Sequence, residues 1–256
     1  MTTSTSSSPI TVDLEEHIAT VEIHRSPHNY FDVAVLTELA DTIDGLGADA
    51  GCRAIVLCSE GKNFCAGADL SSDSVLDKTK ELYAIAARLL GAPSPIIAAV
   101  QGSAVGGGFG LSLIADFRVG TPRTRFACNF AKLGFHHGFG ISETLHPIVG
   151  QQRALEILYT GSDVRGEEAR AIGLLDRLTD DDTLRHSARR LAEEIAVSGP
   201  LAVSAIRQTM RGPLIDRVRT ATLREAQQQE RLRNTSDFQE GVKAMAERRT
   251  PRFTGS

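Results

Sequence analysis

The chain is poor in the features that mark specialised classes. Its 256 residues include four cysteines, Cys52, Cys58, Cys65 and Cys128, and no two of them have CxxC spacing. That spacing excludes a zinc ribbon and supplies no disulfide framework, so a reduced, cytoplasmic setting is expected. The formal net charge is only −4 and the charges are dispersed, which gives nucleic acid nothing to bind. A basic end (Arg248, Arg249, Arg252) reads as a solvated face. No stretch approaches the roughly eighteen apolar residues that a membrane span needs. Met1 to Pro9 is Ser/Thr-rich, with no charged side chain and no apolar core. It reads as a disordered tail rather than a targeting signal. There is no fixed-period repeat and no long linker.

What is present is ordinary globular composition with strand–helix alternation. Apolar residues make up 41% and charged residues 23%, enough to build a sizeable core. Ile10–Asp13 and Ile18–Ile23 alternate as a hairpin would, with Glu15 to His17 near the turn. Val35, Leu36, Leu39, Ile43 and Leu46 have helical spacing, and so does the segment from Leu76 to Leu90, which carries Tyr83. Ala54–Leu57 and Ile96–Val100 are apolar runs that read as buried strands, and Asp116–Val119 reads as another. Pro93 and Pro95 separate the second helix from the strand that follows it. Beyond Gly150 the pattern reads as almost entirely helical, with candidates at 154–159, 166–171, 184–198, 201–210 and 215–233. The alternation points to an α/β core with parallel pairing and right-handed crossovers.

Two glycine-rich segments carry the chemistry. One runs Gly61-Lys62-Asn63-Phe64-Cys65-Ala66-Gly67-Ala68-Asp69-Leu70, and the other runs from Ala98 through Gly106-Gly107-Gly108 to Leu111. Each follows a buried strand and turns through small residues, which let a ligand come close to the main chain. The second leads into the helix-like stretch Phe109 to Ala115. That places Gly107 N–H near a helix N-terminus, where negative charge is favoured. Two such donors can hold one developing oxyanion.

On these segments the sequence resembles the enoyl-CoA hydratase/isomerase family, the crotonase superfamily. Further landmarks are Ile23 to Asn29, Leu158-Tyr159-Thr160-Gly161, Ala169 to Leu175 and Glu240 to Arg249, so the likeness runs from about Ile10 to Phe253. It implies a stacked ββα spiral core at 10–199, a C-terminal helical trimerisation region at 200–256 and a tail at 1–9. It also implies an acyl-CoA thioester as substrate partner, with no separate cofactor and no metal, and a homotrimer or dimer of trimers. No nucleic acid or membrane partner is expected.

The resemblance assigns the oxyanion donors to Ala68 and Gly107. It places Arg25, Pro27, Ala66, Gly67, Asp69, Leu70, Tyr83, Val105, Gly106, Phe130, Leu133 and Lys243 along the thioester, with Arg249 near a neighbouring subunit's coenzyme A. It also marks a gap. The two positions where family hydratases carry glutamates hold Gly110 and Phe130, and the position where some isomerases carry aspartate holds Gly138. His136 and His137, in the loop Leu133 to Gly140, remain as candidate acid/base groups, with His137 the first choice. Asn29 is expected to fix a turn and cap the following helix. Ser142 and Glu143 are expected to cap another, and Cys65 to be a small buried apolar residue. The leading reading is an enzyme acting on an acyl-CoA as lyase, isomerase, hydrolase or decarboxylase. The rival is an acyl-CoA-binding protein that no longer catalyses.

Overall fold

A computed structural model of the chain describes residues 8–68 and 78–256. Six strands form the main sheet: β1 (Ile10–Glu15), β2 (Ile18–Ile23), β3 (Ala54–Ser59), β4 (Ile96–Val100), β6 (Phe117–Gly120) and β9 (Arg177–Leu178), in the order β1-β2-β3-β4-β6-β9. Only β1 and β2 pair antiparallel; the other neighbours are parallel. A smaller sheet holds β5 (Ser103–Val105), β7 (Arg125–Ala127) and β8 (Asp163–Arg165).

The apolar runs lack alternation because both faces of the sheet are covered. Side chains point to opposite faces along a strand. On β3, Ile55 and Leu57 therefore enter one core with the helix Val33–Ala48, while Ala54, Val56 and Cys58 enter a second core against the helix Leu184–Ala196. On β4, Ile96, Ala98 and Val100 join the first core and Ile97 and Ala99 the second. The parallel β3 and β4 thus end side by side, and both glycine-rich segments leave from that edge. Ligands in such sheets bind beyond the carboxyl ends of the strands.

Several expectations need correction. The C-terminal part is not all helix, because β8 and β9 lie within it. The two helices expected at 201–210 and 215–233 are one, Pro200–Leu232, which continues through Pro213. An interior proline costs about 3 kcal/mol. Here both halves are pinned by tertiary contacts: Arg207 grips Asp116 and the Ala92 carbonyl, and Val218 packs on Ala87 and Leu90. Asp116 lies just outside β6, where its carboxylate accepts Ile96 N–H (2.8 Å) and pairs with Arg207 and Arg211. The helix expected from Leu76 is described from Thr79 to Leu90; its first residues lie outside the described range.

Two expected caps are also made by other residues. Asn29 does fix a turn, in the left-handed region at φ 50°, where its side chain accepts Arg25 N–H and donates to the Glu60 and Asn63 carbonyls. The helix cap itself is Asp32, whose carboxylate accepts Val35 N–H at 2.9 Å. The short helix Ile141–Thr144 has no local side-chain cap. Glu225, from the long helix, accepts Gly140 N–H (2.8 Å) and Ser142 N–H (3.1 Å) in its place.

Candidate active site

The two glycine-rich segments lie main chain to main chain. Cys65 N–H donates to Ser103 O (3.1 Å) and Val105 N–H donates to Cys65 O (2.9 Å), a parallel bridge outside the regular strands. A side chain at Gly67 (φ 84°) would bring its Cβ to 2.9 Å from Val105 O and 3.0 Å from Gly107 N. At Gly108 a Cβ would meet Cys65 O at 2.0 Å. Small residues are therefore required for the segments to touch at all.

That contact decides which N–H groups remain open. Ala66 N–H donates to His28 O, Gly106 N–H to Ala127 O, and Gly67 N–H turns to Cys65 Sγ at 3.3 Å. Phe31 N–H pairs with Gly67 O, so the bridge between Phe31 and Ala68 leaves Ala68 N–H outside it. Gly107 opens the helix Gly107–Ile114, where the first N–H groups have no intrahelical partner. Among the described residues, neither Ala68 N–H nor Gly107 N–H has an acceptor. Cys65 is fully buried, and burial pushes its thiol up to about 12, so it acts as a packing residue with weak sulfur contacts.

Ala68 and Gly107 both face a cavity of about 580 Å³. Ala66, Val105, Gly106, Tyr83, Phe130 and Leu133 line it too, as the sequence suggests. Phe31, Phe135, Phe139, Gln229, Val242 and Met245 complete much of its wall. Among the described lining residues Arg125 alone carries a charge, and Asp163 holds it in a two-pronged pair (2.6 and 3.0 Å). Gly110 does not open onto this space: a Cβ there would sit 2.8 Å from that of Phe139. A Cβ at Gly138 would overlap the Tyr83 hydroxyl, at 1.6 Å. The places left by these glycines are thus filled by rings from elsewhere in the chain.

His136 and His137 do not line the cavity; they lie in the loop beside its wall. His137 Nε2 lies 2.9 Å from Ser142 Oγ, which in turn donates to Glu225 Oε1 at 2.6 Å. Since the serine proton is committed to Glu225, the Nε2 proton of His137 points to the serine oxygen. Burial, and then the neighbouring His136, push the His137 imidazole down to about 3. The His136 ring stacks on it at 4.2 Å and donates from Nδ1 to the His137 carbonyl. Glu225 is nearly inaccessible, and burial raises its carboxyl against the lowering effect of its hydrogen-bond donors. One turn further on, Gln229 accepts from the Tyr83 hydroxyl (2.7 Å) and donates to His136 O (2.7 Å). Burial, then Glu225, raises the Tyr83 phenol well above its usual range, so it stays protonated.

The remaining expected residues are not brought together at the cavity. Arg25 and Pro27 are exposed and do not line it, and Arg25 pairs with Asp32 at 3.2 Å. Lys243 is exposed on the helix Ser236–Ala246, whose Val242 and Met245 face the cavity of the same chain. Arg249 is tied to Glu240 and Glu247. Asp69 and Leu70 lie outside the described residues. Sequence reasoning missed Phe31, Arg125, Phe139, Glu225 and Gln229. The last two stand four residues apart in the polar run Arg224 to Glu230, the spacing of one helix face, but their burial depends on what that face meets.

The sequence matches the enoyl-CoA hydratase/isomerase family over residues 13–256. A putative enoyl-CoA hydratase of Thermus thermophilus is 34% identical over 254 residues, covering 93% of this chain and 97% of its own. The putative enoyl-CoA hydratase/isomerase YngF of Bacillus subtilis is 32% identical over 248 residues, covering 94% and 95%. Among solved structures, an enoyl-CoA hydratase from Mycobacterium avium superposes with a TM-score of 0.86 at 27% identity, covering 97% of this chain and all of that one. With its ββα spiral core, its paired glycine segments and its match over nearly the whole length, the chain belongs to the enoyl-CoA hydratase/isomerase (crotonase) family.

Proposed function

We propose that this chain is an acyl-CoA enzyme that binds the thioester carbonyl between Ala68 N–H and Gly107 N–H and stabilises the enolate formed when the α carbon gives up a proton. The observation that carries this reading is the pair of uncommitted donors facing one cavity, one of them at a helix N-terminus. As the α C–H bond breaks, its electron pair moves to the carbonyl oxygen. Preorganised donors there lower the barrier without rearranging, and loss of one typically costs about 100- to 1000-fold in rate. With Gly110 closed off by Phe139, Phe130 on the wall and no carboxylate among the described lining residues, activation of water by two glutamates is not the favoured route. The neutral, serine-bound His137 serves here to hold the wall, and the α proton passes to a basic oxygen that the substrate itself carries.

A second reading has a specific observation in its favour. The apolar wall, with Phe130 and Phe135, fits an acyl-CoA-binding protein without turnover. One experiment separates the two. Purified protein is incubated in heavy water with saturated, 2-enoyl, 3-enoyl and β-keto acyl-CoAs and the products are read by mass spectrometry. Deuterium at the α carbon, gain of water, loss of CO₂ or free coenzyme A names an enzyme, and Ala68→Pro, which deletes one donor, is expected to abolish it. Turnover unchanged by Ala68→Pro would overturn the donor assignment. Thioesters that raise the melting temperature but return intact would establish the binding reading. We place the protein in the cytoplasm as a homotrimer or a dimer of trimers. No helix among the described residues is long and apolar enough to cross a membrane, and Leu201, Ile206 and Met210 are exposed on the long helix. Light scattering tests the assembly.

A further inference from the structure

The chain is sparing with aromatic residues: ten phenylalanines, three tyrosines and no tryptophan. Six of those thirteen rings, Tyr30, Phe31, Tyr83, Phe130, Phe135 and Phe139, line the one cavity that Ala68 and Gly107 face. They come from three separated parts of the chain, at 30–31, 83 and 130–139, so no single stretch explains the convergence. The rings also touch in the geometries that aromatic pairs prefer. Phe31 and Phe139 lie 5.2 Å apart and tilted by 32°, and Tyr83 meets Phe139 edge-on, at 6.4 Å and 87°.

Phe139 shows that this arrangement is specified rather than incidental. It sits at φ 63°, a left-handed conformation that a bulky residue adopts only against steric resistance. The following residue, Gly140, is held by Glu225, and the space its ring needs exists only because residue 110 has no Cβ. Two concessions in the chain thus serve to aim one more phenyl ring at the cavity.

Charge narrows the ligand further. Arg125 is the sole charged group among the described lining residues and is already paired with Asp163, so among those residues no unpaired countercharge awaits a carboxylate at the far end of an acyl chain. An unbranched alkyl chain would fill the space but would lose rotational freedom on binding and gain no ring–ring term, whereas an aryl group enters rigid. We infer that the cavity is built for thioesters whose acyl group carries an aromatic ring. This deepens the acyl-CoA reading and rests on it.

Calorimetric titration with four saturated or non-acylated probes tests the inference: free coenzyme A, adipoyl-CoA, nonanoyl-CoA and 3-phenylpropanoyl-CoA, the last two with equal acyl carbon counts. We expect 3-phenylpropanoyl-CoA to bind about tenfold tighter than nonanoyl-CoA, the equivalent of one or two good ring pairs. Adipoyl-CoA should bind no better than free coenzyme A. Phe130→Leu, which keeps an apolar side chain and removes the ring, should bring the aryl-to-alkyl ratio toward one; Phe31→Leu offers the same test should the first variant fail to fold. Equal affinity for the two nine-carbon thioesters would overturn the aromatic preference and leave the thioester reading standing. If no thioester bound more tightly than free coenzyme A, both would fall.

Discussion

The two sides of the cavity are built by opposite means. One side is main chain: Cys65 to Ala68 lies against Ser103 to Gly108, held by backbone hydrogen bonds and by the absence of side chains at Gly67 and Gly108. The other side is made of side chains: Phe139, Tyr83 and the His136–Ser142 loop are fastened by Glu225 and Gln229 from a helix more than eighty residues away in sequence. The first can be changed only by moving the backbone. The second can be re-cut one side chain at a time. The main-chain side offers its N–H groups whatever side chain stands there, with proline the exception, whereas each ring of the other side can be exchanged.

The sharpest way to break the comparison is Gly108→Ala. Its Cβ would sit 2.0 Å from Cys65 O, and a carbonyl in a bridge has no room to retreat. A loss of about 4 kcal/mol or more is expected in urea unfolding, with any folded fraction unable to bind thioester. Gly108→Ala at parental stability would show that the two segments are not in forced contact.

On the opposite wall, Glu225→Ala strands Gly140 N–H, Ser142 N–H and the Ser142 hydroxyl. The expected cost is about 2–4 kcal/mol, with thioester affinity falling as Phe139 loses its support. Glu225→Gln, which keeps the shape and one acceptor oxygen, should recover part of both. A Glu225→Ala protein with unchanged melting temperature would mean that the loop holds itself.

His137 sharpens the contrast through pH. Unfolded, its imidazole takes up a proton below its ordinary value of 6.5; folded, it refuses one until about 3. Its contribution is therefore complete above pH 6.5 and is lost as pH falls toward 3, by at most about 1.4 kcal/mol per pH unit. The stability difference between parent and His137→Gln should accordingly be flat near pH 8 and move against the parent from pH 6.5 to 4. A difference that stays constant over that range would place the histidine in water. The smallest effect is expected at Gly45→Ala, inside the helix Val33–Ala48 and exposed, with nothing within 4 Å of the new methyl group. It should stabilise by about 1 kcal/mol or less, and it serves as the control that a methyl group is harmful only where main chains touch.

The same division explains what could be read in advance. The strands at 54–57 and 96–100, the helix N-terminus at Gly107 and the pairing of the two glycine segments were legible because small residues, turns and apolar runs act on their own neighbourhood. Phe139 could not be read as a wall residue, since its placement depends on Gly110 and on a carboxylate in another helix. Glu225 and Gln229 could not be read as supports of the wall, since their burial depends on what that helix face meets. Asn29 looked like a cap because asparagine suits both turn and cap, and only the position of Asp32 separated the two roles. The helix through Pro213 reads as two, 201–210 and 215–233, because the contacts of Arg207 and Val218 that hold it together are not written nearby.

By itself, then, the sequence determined the backbone: an α/β chain whose two glycine segments pack main chain to main chain beyond the ends of neighbouring strands. Those features follow from steric permission, which is local. Only the tertiary structure decided the cavity's lining, the burial of Glu225 and the distance of the histidines from the ligand space. Those depend on which distant side chains meet once the C-terminal helix packs across the loop, a choice made by the fit of whole surfaces rather than by the preference of any single residue.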